Sequence, residues 1–140
     1  MSGLDDIPVS TEEPTHAPGR MTLRALLREI STLLDQLTET GQGGSVDLRS
    51  LPLFPGDYAV LQNVLGRGEV QVALNTLGPS TLYETTVPGV WWVTHRNEDE
   101  EIVSEFIEVT RCPGIVHTPD EELEHATARL QALDHQLSGN

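Results

Sequence analysis

The chain has 140 residues, a formal net charge of −14 and only eight Lys and Arg, with a pI near 4.5. That balance argues against nucleic-acid binding by phosphate neutralisation and disfavours anionic membranes; an acidic surface suits solubility first, and it would also attract a basic partner segment. The single cysteine, Cys112, cannot form an internal disulfide, and no apolar run is long enough to cross a bilayer or to serve as a secretory core, so the expected location is cytoplasmic.

Residues 1–20 are acidic and carry Pro8, Pro14 and Pro18, a composition that predicts a disordered leader. One domain is expected over residues 21–138. From Leu23 the apolar residues Leu26, Leu27, Ile30, Leu33, Leu34 and Leu37 follow at helical steps, with Thr22 as the expected N-cap and Gly41 as the stop. The segment Ser45 to Asp57 reads as an ordered loop with room for a short strand at Val46 to Leu48. A second helix is expected from Pro55, with proline in its first turn and Tyr58, Leu61, Val64 and Leu65 facing inward.

Four strands are predicted next, over Glu69 to Leu74, Thr81 to Val87, Val90 to Arg96 and Ile102 to Arg111. Short links at Gly78-Pro79, Pro88-Gly89 and the charged tip Asn97 to Glu100 favour antiparallel pairing. Val70, Val72 and Leu74 mark a core face on the first strand. The last element opens on Thr118-Pro119-Asp120-Glu121, which predicts a capping box with Thr118 as N-cap. Leu123, Ala126, Leu130, Leu133 and Leu137 then recur at alternating steps of three and four, a narrow apolar seam. The fold expected is α+β: a mainly antiparallel four-stranded sheet with two N-terminal helices and a C-terminal helix.

The third strand, Val90-Trp91-Trp92-Val93, holds both tryptophans of the chain. Neighbours on a strand point to opposite faces, so one ring enters the main core and the other stands on the second face. If that face is open, Trp91 or Trp92 together with Phe106 offers an apolar contact, and Glu84 beside them a carboxylate for a basic group. A covering helix or loop is the alternative. Cys112 and His117 are close enough in sequence to suggest a hydrolase or redox pair, yet no third group and no helix N-terminus supports them. The five histidines lack ligand spacing, and Gly66-Arg67-Gly68 precedes a strand rather than opening a helix, so neither a metal nor a phosphate-bearing cofactor is expected.

The ordered set DLRSLPLFPGD (Asp47 to Asp57), LGRGEV (Leu65 to Val70), LGPS, ETTVPGVWWVTHRN (Glu84 to Asn97) and IEVTRCPGIVHTPDEEL resembles the C-terminal region of the HupH/HyaF hydrogenase expression proteins. The resemblance implies a chaperone-like accessory protein, not an enzyme, for maturation of nickel-iron hydrogenase. Its implied partners are the precursor of the iron-sulfur small subunit and other maturation proteins. An acidic protein with an open Trp would suit that precursor's twin-arginine export signal. A dimerisation module, with the open Trp buried against its twin, is a third reading.

Overall fold

The computed structural model describes the backbone of residues 7–75 and 78–139, with side chains described from residue 19 onward. Of the predicted leader, residues 1–6 lie outside the described residues, and the backbone of residues 7–20 falls within the first helix. The first helix, α1, spans Ile7–Thr40, so Thr22 sits within it and is not its cap. Leu23, Leu26, Ile30 and Leu37 are buried, with Leu27, Leu33 and Leu34 packed beside them, which reproduces the predicted stripe. Gly41, at a φ of 82°, donates its N–H to the Leu37 carbonyl at 2.8 Å and ends the helix in the left-handed conformation.

Among the described residues the sheet has five strands, not four, and one helix precedes it, not two. The added strand, β1, spans Gly44–Asp47 and separates α1 from α2 at Pro55–Leu65. The others are β2 (Gln71–Asn75), β3 (Pro79–Glu84), β4 (Val90–Arg96) and β5 (Ile102–Val109), in the spatial order β1-β5-β4-β3-β2 and antiparallel throughout. The chain can enter beside β5 because Gly43 has no side chain: a Cβ there would lie 1.9 Å from the Val109 carbonyl oxygen. Val46 then pairs with Ile107 and is buried. A short 3-10 turn follows at Leu48–Ser50, and the Asp47 carboxylate caps it by accepting the Arg49 N–H at 3.0 Å. Asp57, buried in the first turn of α2, accepts the Phe54 N–H at 2.8 Å, while α1 brings Gly19 against the same carboxylate.

The two faces of the sheet are unlike. Beneath α1 and α2, the row Tyr83, Trp92, Ile107 and Val46 joins Val90 and Val109 in the main core. On the reverse face Leu82, Trp91 and Val93 form a second cluster flanked by Val72, Leu74 and Phe106, all of them strand residues. Of the core face expected on this strand, Val72 and Leu74 pack on the second cluster, while Val70 is exposed.

The last helix, α3, spans Asp120–Ser138, and every residue in it is exposed. Its N-cap is Pro119 and no side chain caps it, so the Thr118 capping box does not form. Proline at that position leaves the first amides to the dipole effect of Asp120, Glu121 and Glu122, with His135 favourable at the other end.

Candidate interaction site around the paired tryptophans

Strand β4 lies third in the sheet, so its alternating side chains reach deepest on both faces. Trp92 is 1% exposed and stacks on Tyr83 with ring planes 5° apart and centroids at 6.3 Å. Its Nε1–H donates to Glu105 Oε2 at 2.9 Å, and the Thr94 hydroxyl donates to the same oxygen at 3.2 Å. The guanidinium of Arg67 lies 4.1 Å above the Tyr83 ring. Burial raises the Tyr83 phenol above its ordinary value of 10.0, opposed by Arg67 and reinforced by Glu105. This half of the pair is structural.

Trp91 faces the other way, as predicted, but it is only 4% exposed. Its Nε1–H donates at 3.1 Å to the carbonyl of Thr110, the residue just past the end of β5. Neither tryptophan is an open ring in the single chain. What Trp91 does supply is a position: in register it lies between Glu84 on β3 and Glu108 on β5. Glu84 also accepts the Gly89 N–H at 3.0 Å, holding the turn between β3 and β4. Alongside lies a cleft of about 330 Å³ lined by Glu84, Gly89, Arg111, Leu34, Leu37 and Thr38.

The next row on this face is Val72, Leu82, Val93 and Phe106, and beyond it Ser80 and His95 bond at 2.8 Å. His95 also tilts against Phe106 at 5.7 Å. Glu84, Trp91 and Phe106 therefore share one face, while Trp92 belongs to the opposite one. Glu108 joins them, a carboxylate that nothing in its sequence context singles out. Its place opposite Trp91 depends on the irregular register at His95 and Arg96, which periodicity alone does not reveal.

Cys112 and His117 are both exposed, and no hydrogen bond joins them among the described residues. Thr110 Oγ1 accepts the Cys112 N–H at 3.4 Å, a turn interaction. Among the described residues no group of three or more His, Cys, Asp and Glu side chains could hold a metal ion, and no helix is long and apolar enough to cross a membrane.

The family model for the HupH hydrogenase expression protein, C-terminal conserved region, matches residues 21–137. The chain belongs to this family. It is 26% identical over 127 residues to the hydrogenase expression/formation protein HupH of Rhizobium leguminosarum bv. viciae, covering 91% of this chain and 45% of that one. Against HoxQ of Azotobacter vinelandii, also named a hydrogenase expression/formation protein, identity is 31% over 104 residues, with 74% and 36% covered. The chain thus spans less than half the length of these HupH relatives. A solved structure of the hydrogenase expression protein HupH from Thiobacillus denitrificans ATCC 25259 superimposes with a TM-score of 0.78 at 44% identity, covering 81% of this chain and 95% of that one. At that coverage and identity the two chains share one fold.

Proposed function

We propose that this chain acts in hydrogenase maturation as a binding protein rather than a catalyst, holding a segment of a hydrogenase subunit precursor on its second sheet face. The observation that carries this reading is the cluster around Trp91, built only from strand residues and bordered by the Glu84 and Glu108 carboxylates. Leu82, Trp91 and Val93 are already buried, so the half-exposed border of Val72, Leu74 and Phe106 offers the apolar contact, and with the two carboxylates it suits an extended segment that is both apolar and basic. A twin-arginine export signal has that chemistry, which makes the iron-sulfur small-subunit precursor the favoured client and places the encounter in the cytoplasm, before export. Membership of the HupH family supports the client class.

The test is co-purification of the tagged chain from cells expressing hydrogenase precursors. Recovery of the small-subunit precursor with the native chain, and its loss with Glu108→Arg, is the expected result. Glu84→Gln, which keeps an acceptor for the Gly89 amide, should weaken capture less. Capture that is indifferent to Glu108→Arg would move the site off this face, and no hydrogenase subunit in any sample would overturn the reading. A twin-arginine peptide titrated with and without its arginines separates charge from apolar burial.

A further inference from the structure

The helix α3 poses a physical question that the sheet does not answer. It has 19 residues, and a helix in a protein draws most of its stability from packing an amphipathic face rather than from propensity. Yet it lies away from the core with Leu123, Leu130, Leu133 and Leu137 exposed, Leu130 by 68% and Leu137 by 79%. Leu130, Leu133 and Leu137 line one open groove with Thr127, Gln131 and Asp134. Their spacing, with Ala126, follows a strict heptad: Leu123, Leu130 and Leu137 at the first core position, Ala126 and Leu133 at the second.

We propose that α3 pairs in parallel with α3 of a second copy of this chain, through that seam and through ion pairs between Arg129 of one copy and Asp134 of the other. The charges single out this occupant. In a parallel pair, the residue just before a first core position meets the one five places later on the partner, which brings Arg129 to Asp134 twice by symmetry. Glu122 meets the neutral Thr127 in the same way. The antiparallel pairs that keep the seam in register set Arg129 against Gln136 or against Arg129 of the partner, and neither arrangement brings Arg129 to a carboxylate. Glu121 and Glu124 lie off the seam, where solvent and salt screen them. One helix thus carries both halves of a complementary contact, as a self-recognising surface requires. Pairing would cover roughly 1,000 Å², near the lower limit for a specific interface, so the dimer should be weak and concentration-dependent.

Sedimentation velocity on the full chain over a concentration series, to about 500 µM, tests this. The native chain should shift from monomer to dimer, and Leu130→Asp should remain monomeric. Arg129→Asp and Asp134→Arg should each raise the dissociation constant about tenfold, and the double reversal should restore it. Circular dichroism and tryptophan emission confirm that each variant keeps the core, which α3 does not enter. A native chain that stays monomeric throughout overturns the proposal, as does a dimer that survives Leu130→Asp. Capture of some other protein by a monomeric chain counts against it too. Single reversals without effect, or a double that does not recover, overturn the parallel register.

Discussion

Glu105 shows how one side chain can decide the state of the main core. It accepts from both Trp92 Nε1 and Thr94 Oγ1, two groups that have left water. Glu105→Ala strands both donors and should cost about 1–3 kcal/mol, whereas Glu105→Gln keeps an acceptor oxygen and should cost less. Urea midpoints at unchanged slope would show the order. Tyr83, one ring away, sets an alkaline limit. Burial holds its phenol protonated above 10.0 in the fold, so its contribution is full below that pH and is lost as pH rises through the raised folded value. Tyr58 is raised too, by burial first and then by Glu105, and it acts in the same direction. Melting temperature should therefore fall above about pH 10, and Tyr83→Phe should flatten part of that fall. At this scale the sequence made the opposed tryptophans legible, because strand alternation is a local rule. It could not show that Trp91 donates to the Thr110 carbonyl, since that depends on a neighbour nineteen residues away.

Elements were legible where a period or a turn residue marks them, and illegible where a neighbour does. The hairpin tip at Asn97 to Glu100 is local: Asn97 Oδ1 accepts the amides of Asp99 and Glu101, each at 2.9 Å. The register beyond it is not, because the irregularity at His95 and Arg96 moves β5 by one residue. Without that shift Trp91 would lie opposite Ile107 rather than Glu108, and the two faces of β5 would exchange. Strand β1 escaped a firm assignment for a related reason, being four residues long and stabilised almost wholly by its partner β5. Glycine makes that pairing testable. Gly43→Ala drives a methyl group into the Val109 carbonyl, backbone that cannot swing aside, and should cost about 2–4 kcal/mol. Gly56 in α2 has nothing within 4 Å of its added Cβ, so Gly56→Ala should instead stabilise by about 0.4–1 kcal/mol. Thermal melts of the two variants against the native chain should move in opposite directions.

For the whole molecule, the narrow apolar seam of α3 is legible in the sequence, while its separation from the core is not. A leucine stripe has the same spacing whether it faces a sheet, a second copy or water. Trp emission distinguishes two ways in which copies of this chain could meet. If association buried an open tryptophan, dilution would redden the emission as the ring returned to water. Here both rings are closed within a single chain, at 4% and 1% exposure, and α3 carries no aromatic residue. Emission should therefore stay constant across the concentration range in which sedimentation reports dissociation. It should redden only on unfolding, when the Trp92–Tyr83 stack and the Thr110 contact of Trp91 are lost together. A red shift on dilution without unfolding would place the contact at the second sheet face. In that arrangement the second copy and a basic client would compete for Trp91, Glu84 and Glu108. With α3 as the contact, both can bind at once.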